Sequence, residues 1–204
     1  MDSKDYLKDI SAIKDLMNKS SKFISLSGLS GVFAGIYSLI GAAYYYFNVQ
    51  QPSNNNLILT KDIVSSITII ILLVGFATTI TTFYFTSIRS KTTNEKAWNS
   101  ASKNLAISFS TSLYIGVLYI AILYFKEEYT YIIALLLLFY GLGLINASKY
   151  TTNIVKPLGV IEVIIGLLCI IYPQQSFWFW FVGFGIVHVI YGGLIYYKYD
   201  KKEN

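Results

Sequence analysis

Residues 158–197 read LGVIEVIIGLLCIIYPQQSFWFWFVGFGIVHVIYGGLIYY and consist of two apolar runs joined by a short turn. The runs cover residues 158–172 and 177–197, and neither contains a lysine or an arginine. Pro173 marks the end of the first run, because proline cannot continue a helix. An α-helix needs about 20 apolar residues to cross roughly 30 Å of hydrocarbon, so this stretch predicts a hairpin of two transmembrane helices, the first of them short.

The same pattern runs through the rest of the chain. Apolar runs without lysine or arginine cover residues 23–47, 63–88, 105–125, 131–147, 158–172 and 177–197. They are apolar at odd and even positions alike, whereas the strands of a membrane β-barrel alternate over about ten residues. Helices are the remaining way to satisfy the backbone inside a membrane. We therefore predict an all-α polytopic membrane protein with six transmembrane helices arranged as three hairpins.

The composition excludes several classes of protein. Of the 204 residues, 54% are hydrophobic and 13% are charged, whereas soluble domains are about 25% charged. These values exclude a disordered chain, an ordinary soluble enzyme and a nucleic-acid-binding domain. One cysteine and one histidine exclude a disulfide framework and a multi-cysteine metal site. The chain also lacks a G-x-S-x-G, H-E-x-x-H or P-loop signature, so we predict no enzymatic activity, no cofactor and no metal.

Lysine and arginine residues divide unequally between the two ends of the predicted helices. One side carries 14 of them, and the other carries only Lys61 and Lys126. Positive charge stays in the cytoplasm, so both termini are predicted to be cytoplasmic. The net charge of +5 therefore reflects topology and gives no argument for binding nucleic acid.

The first 22 residues form a separate part of the predicted organisation. Apolar residues recur at spacings of three and four over residues 3–20, with lysine and aspartate between them, which is typical of an amphipathic helix. Such a helix lies on the inner leaflet or docks a cytoplasmic partner protein. The chain thus divides into a cytoplasmic amphipathic helix (residues 1–22), a transmembrane domain (residues 23–197) and a cytoplasmic tail (residues 198–204).

Glycines line one face of three predicted helices. Spacings of three, four and seven place these glycines on a common side of each helix. Small residues at such spacings let helix backbones approach closely in membranes. The predicted packing glycines are Gly28, Gly31 and Gly35 in the first run, Gly159 and Gly166 in the fifth, and Gly185 and Gly192 in the sixth.

One acidic and one basic residue lie on these faces. Glu162 and His188 are the only glutamate and the only histidine within the six apolar runs. Glu162 lies 10 residues before the end of its run, and His188 lies 11 residues after the start of the next. At about 1.5 Å per residue, both are roughly 15–17 Å from the turn that joins them. We therefore predict that the two side chains share a level and meet inside the bundle.

This predicted pair has two interpretations. A carboxylate at that depth must be paired, hydrogen-bonded or protonated. In a functional interpretation, Glu162 and His188 bind a proton or a cation, or respond to pH, and titrate as a coupled pair. In a structural interpretation, they form an interhelical hydrogen bond that contributes about 0.6–2 kcal/mol.

Two stretches resemble known membrane proteins. Gly159, Gly166, Pro173, Gly185 and Gly193 resemble the repeat unit of HdeD-type bacterial membrane proteins, which are six-helix proteins linked to acid resistance. The stretch MNKSSKFISLSGLSGVFAG, residues 17–35, resembles the start of uncharacterised integral membrane proteins of Bacteroidota. These resemblances imply a bacterial inner-membrane location and supply no activity.

Two functions are compatible with the sequence. The first is a non-enzymatic inner-membrane protein with a regulatory, stress-related or partner-binding role and a buried Glu162–His188 pair. The alternative is a small proton- or cation-coupled transporter or channel that uses the same two residues. The expected partners are the lipid bilayer, a cytoplasmic protein at the N-terminal helix and, through the glycine faces, a second copy of the chain.

Overall fold

A computed structural model describes Ile13 and residues 22–49, 61–93 and 96–201. Within these residues every regular element is a helix. The helices are α1 (Gly28–Asn48), α2 (Lys61–Thr92), α3 (Ser100–Phe125), α4 (Ile132–Ala147), α5 (Val155–Ile171) and α6 (Pro173–Asp200). The predicted amphipathic helix of residues 3–20 lies outside the described residues, apart from Ile13, which is helical and exposed.

Five helices are long and apolar enough to cross a membrane among the residues that the structure describes: α1, α2, α3, α4 and α6. Helix α5 has 17 residues, the lower end of the length that spans a bilayer. It begins before the predicted run, at Val155, and carries Pro157 in its first turn. Proline is tolerated there because the first amides of a helix have no partner within it.

Helix α6 begins with a 3-10 turn (Pro173–Gln175) and contains two π-helical segments. A short α-helix (Ser176–Trp180) leads into a π-helical segment (Phe181–Val187), and an α-helical segment (His188–Ile195) leads into a second π-helical segment (Tyr196–Asp200). The π-helix is rare and occurs frequently at functional sites. The first of these segments ends directly before His188.

The start of the first apolar run differs from the prediction. Residues 23–27 are not helical, and α1 begins only at Gly28. The backbone amide of Phe23 donates to the Tyr150 carbonyl oxygen at 2.7 Å, and the hydroxyl of Thr151 donates to the Phe23 carbonyl oxygen at 3.0 Å. The amide and the carbonyl oxygen of Phe23 are therefore both satisfied without a helix.

The helices form a series of neighbouring pairs. Helix α1 packs against α2 on one side and against α6 on the other, while α4 packs against α3 and α5. Helix α5 contacts the outer half of α6, and the half of α6 from His188 onward packs mainly against α1. We call the end at which α1 begins the inner end, because the sequence predicts that it faces the cytoplasm, and the opposite end the outer end.

Glycines bring two of these pairs close together. A Cβ added to Gly35 of α1 would lie 2.7 Å from the carbonyl oxygen of Gly185 in α6. A Cβ added to Gly159 of α5 would lie 2.7 Å from the carbonyl oxygen of Gly141 in α4. Both distances are below what a real Cβ tolerates, so only glycine permits these crossings.

The glycine faces of α5 and α6 are turned to different neighbours. Gly159 and Gly166 face α4, whereas Gly185 and Gly192 face α1. The sequence suggested instead that the two faces meet each other. At about 100° per residue, Glu162 lies roughly 60° round the helix from Gly159. A long side chain at the edge of the glycine face can therefore reach α6 while the glycines pack elsewhere.

Candidate functional site

Glu162 and His188 lie side by side at mid-height in the bundle. Glu162 Oε1 is 3.3 Å from His188 Nδ1. The Glu162 side chain is 0% exposed and that of His188 is 5% exposed. Helices α5 and α6 are antiparallel neighbours across the turn at Pro173–Gln175, which places the two residues at the same level. The structure thus brings together the one carboxylate and the one imidazole of the apolar runs.

His188 makes two hydrogen bonds that define which of its nitrogens carries a proton in the neutral ring. Its Nδ1 atom is 2.9 Å from the Gly183 carbonyl oxygen, and its Nε2 atom is 2.7 Å from the hydroxyl of Tyr140 in α4. A carbonyl oxygen only accepts, so Nδ1 carries a proton. In a neutral imidazole, Nε2 then accepts the Tyr140 proton, and in an imidazolium it donates to the Tyr140 oxygen instead.

Gly183 makes room for the carboxylate. A Cβ at this position would lie 2.9 Å from Glu162 Oε2 and 2.6 Å from Cδ2 of Leu137, which is itself 0% exposed. Gly183 is part of the π-helical segment that precedes His188. One glycine therefore supplies both the carbonyl oxygen that orients the imidazole and the space that the carboxylate occupies.

Aromatic rings surround the imidazole. The ring of Tyr140 is 5.2 Å from that of His188, and the ring of Phe184 is 5.9 Å from it, between centroids. Phe109 of α3 packs edge-on against Tyr140 at 5.6 Å. This apolar wall lowers the local dielectric, so the interaction between the carboxylate and the imidazole is stronger than it would be in water.

The carboxylate depends on its neighbour for charge compensation. Neither oxygen of Glu162 has hydrogen-bond geometry with any described residue, so the nearby imidazole is its closest polar partner. An isolated ionised carboxylate in an apolar interior is strongly disfavoured. The pair is therefore favourable in two forms that differ in where one proton lies: a carboxylate with an imidazolium protonated on both nitrogens, or a carboxylic acid with a neutral imidazole protonated on Nδ1 alone. Both forms contain one proton more than the fully deprotonated pair.

The predicted glycines serve packing and do not line this pair. Gly28, Gly31 and Gly35 of α1 contact α6, Gly185 and Gly192 contact α1, and Gly159 and Gly166 contact α4. Sequence reasoning missed Gly183 and Tyr140. A tyrosine in the middle of an apolar run was an available signal for Tyr140, because tyrosines in membranes favour the interfaces.

A second polar cluster lies at the inner end. Arg89 of α2 forms an ion pair with Asp200 of α6, and the two side chains are 8% and 11% exposed. Arg89 also donates to the carbonyl oxygen of Leu26 at 2.7 Å. In the sequence, Arg89 counted only as one of the positive charges that set orientation, and nothing local indicated that it would be buried.

The described residues contain no group of three or more metal-binding side chains. Comparisons with protein-family models, with curated proteins and with solved structures give no match to this chain. The fold and the composition therefore define the class by themselves. Among the described residues every regular element is helical, and five helices are long and apolar enough to cross a membrane, which fits the multi-pass membrane protein that the apolar runs predict.

Proposed function

We propose that this chain is a non-enzymatic protein of the bacterial inner membrane whose Glu162–His188 pair holds one proton inside the helix bundle and gives it a regulatory or stress-related role. The observation that carries the proposal is the fully buried Glu162 carboxylate 3.3 Å from the imidazole. The resemblance of the last hairpin to acid-resistance proteins of the HdeD type supports a role in stress.

The regulatory role follows from the cost of changing the number of protons at this pair. Removing the shared proton leaves a net negative charge, and adding a second proton leaves a net positive charge, in a site lined by Tyr140, Phe184 and Leu137. Either change costs several kcal/mol unless water or a counter-charge enters. A change in protonation is therefore coupled to a change in how α5, α6 and α4 pack, which is how a buried pair signals.

The membrane topology is part of the proposal. Both termini face the cytoplasm, and the six helices are arranged as three antiparallel hairpins. The distribution of lysine and arginine supports this orientation, and the neighbouring pairs α1 with α2 and α3 with α4 support the hairpins.

Modification by a membrane-soluble carbodiimide tests the shared proton, because this reagent reacts with protonated carboxyl groups. We expect it to modify Glu162 in the protein in proteoliposomes, at a rate that falls as pH rises. In His188→Gln the rate rises, because the carboxyl group can no longer leave its proton on the imidazole. Glu128→Gln, which removes an exposed carboxylate at the outer end, is the matched control and leaves the rate at Glu162 unchanged. An unreactive Glu162 in both the wild-type and the His188→Gln protein would contradict the proposal.

A second candidate function is a proton- or cation-coupled transporter or channel. The position of the pair favours it: Glu162 and His188 lie near the middle of their helices, beside a π-helical segment, and transporter sites lie near the bilayer midplane where helices are irregular. Proton and monovalent-cation flux into proteoliposomes, compared between the wild type and Glu162→Gln, separates the two functions. Flux that the substitution abolishes favours transport, and no flux between about pH 5 and 8, where histidine titrates, favours the regulatory role.

A further inference from the structure

We propose that residues 22–27 form a strap that closes the inner end of the bundle by joining α5 to α6, and that the Arg89–Asp200 ion pair locks it. Opening the strap would admit water to Glu162 and His188 from the inner end. The inference deepens the proposed function and rests on it in one respect, namely that these two residues are the site to which water is admitted.

The first half of the strap bonds to the segment that leads into α5. The amide of Phe23 donates to the Tyr150 carbonyl oxygen at 2.7 Å, and the Phe23 carbonyl oxygen accepts from the Thr151 hydroxyl at 3.0 Å. Lys22 Nζ lies 3.3 Å from Asn153 Oδ1. Phe23 and Thr151 are almost completely buried, so these bonds are shielded from water.

The second half of the strap bonds to the end of α6. Ser27 Oγ and the amide of Gly28 donate to Asp200 Oδ2 at 3.2 and 3.0 Å. The Asp200 carboxylate thus caps the N-terminus of α1, where the helix dipole favours negative charge. The second π-helical segment of α6 ends at Asp200.

Helix α2 completes the lock. Its Arg89 pairs with Asp200 Oδ1 and donates to the Leu26 carbonyl oxygen at 2.7 Å, so one guanidinium holds both the strap and α6. The hydroxyls of Ser25 and Thr93, at the end of α2, are 2.6 Å apart. Ser25 is 0% exposed and Arg89 is 7% exposed, so these contacts of the strap lie within the packed inner end.

The position of the strap explains why it acts as a closure. Helices α5 and α6 carry Glu162 and His188, and the outer turn at Pro173–Gln175 already joins their outer ends. The inner half of α6 packs mainly against α1, and the strap bonds to the inner ends of both α5 and α6. Separating a buried ion pair exposes two charges that water must solvate. We expect the strap to be closed and dry while this ion pair is formed, and open and hydrated once the pair has separated.

Pulsed electron–electron double resonance, which measures the distance between two spin labels, tests the closure directly. Spin labels on cysteines that replace Lys156 of α5 and Lys198 of α6, both exposed at the inner end, report the separation of the two helices in a Cys169→Ala background. We expect a single narrow distribution with the strap closed. Asp200→Asn removes the charge of the lock, and we expect it to shift the distribution to longer distances and to broaden it.

Two further variants make the experiment decisive. Thr151→Val removes only the hydroxyl bond to Phe23 and leaves the ion pair intact, so it releases the strap without leaving Arg89 unpaired, and we expect a smaller shift in the same direction. Glu128→Gln removes an exposed charge at the outer end and leaves the distribution unchanged. Distributions for Asp200→Asn and Thr151→Val that match the wild type, in folded protein, would overturn the strap.

Water access to the site is measured separately. A water-soluble carbodiimide added at the inner face is expected to modify Glu162 roughly tenfold faster in Asp200→Asn, the factor that corresponds to about 1.4 kcal/mol, since hydrogen bonds to charged groups contribute at least that much. If Asp200→Asn lengthens the distance between the spin labels but does not speed the modification of Glu162, the strap stands and Glu162 is not the site that it protects. If the distance between the spin labels is unchanged while the membrane-soluble reagent modifies Glu162 as expected, the strap is contradicted and the proposed function stands.

Discussion

Replacing Gly183 with alanine tests whether the carboxylate of Glu162 depends on the space beside α6. The new Cβ would lie 2.6 Å from Leu137 Cδ2 and 2.9 Å from Glu162 Oε2. Leu137 and Glu162 are both 0% exposed, so neither side chain can move into solvent. The substitution must therefore displace one of them within a packed interior.

The magnitude follows from two opposing contributions. Forcing an extra methyl group into a packed core costs about 1–3 kcal/mol, and replacing glycine with alanine in a helix contributes about 1 kcal/mol in the opposite direction. Gly193→Ala in the same helix isolates the second contribution, because a Cβ there meets nothing within 4 Å. The difference in the free energy of unfolding between the two variants is thus expected to be about 1–3 kcal/mol, with Gly183→Ala the less stable.

Unfolding in mixed micelles of increasing denaturing-detergent content, followed by circular dichroism, provides the comparison. Gly193→Ala should be as stable as the wild type or slightly more so, and Gly183→Ala should unfold at a lower detergent fraction. Equal stability of the two variants would refute the packing argument. Modification of Glu162 by the membrane-soluble carbodiimide supplies an independent result, because a displaced carboxyl group can no longer share its proton with His188 and should react faster.

Three other predictions use the same unfolding assay. Tyr140→Phe removes the hydroxyl 2.7 Å from His188 Nε2 and should lower the free energy of unfolding by about 1 kcal/mol; a variant as stable as the wild type would mean that this bond contributes nothing. Asn99→Ala removes the side chain that caps α3 and should also lower the free energy of unfolding by about 1 kcal/mol. It should not affect the carbodiimide modification of Glu162. A change in that modification would show that the cap does more than stabilise its helix. Gly159→Ala places a Cβ 2.7 Å from the Gly141 carbonyl oxygen and should be about 1–3 kcal/mol less stable than Gly193→Ala. Equal stability of these two variants would count against the close crossing of α4 and α5.

The helices could be predicted from sequence because the signal is local. Length and apolar character determine a membrane helix, and the run at residues 105–125 corresponds to α3 (Ser100–Phe125). The equal depth of Glu162 and His188 also followed from counting residues along two antiparallel helices that share a short turn. This inference needed only the rise per residue of a helix.

Features that depend on a third helix could not be derived in this way. The partners of the glycine faces depend on which helix lies on each side of α5 and α6, and no pattern within one helix determines that. Tyr140 approaches His188 from α4, and Gly183 reaches Glu162 through a π-helical segment. The strap was missed because residues 23–27 are apolar enough to extend the first helix, whereas the backbone of Phe23 bonds to Tyr150 and Thr151, more than 100 positions further along the chain.

The length of α2 links the lock to the thickness of the bilayer. Its apolar part, residues 63–88, is about 39 Å long, longer than roughly 30 Å of hydrocarbon, so we expect the helix to tilt or the lipid around it to thicken. Among the described residues, α2 packs extensively only against α1. Its tilt is therefore free to respond to the lipid. Because Arg89 is held in the ion pair near the inner end of α2, we expect a thinner membrane to increase the tilt and strain that pair, and a thicker one to relax it.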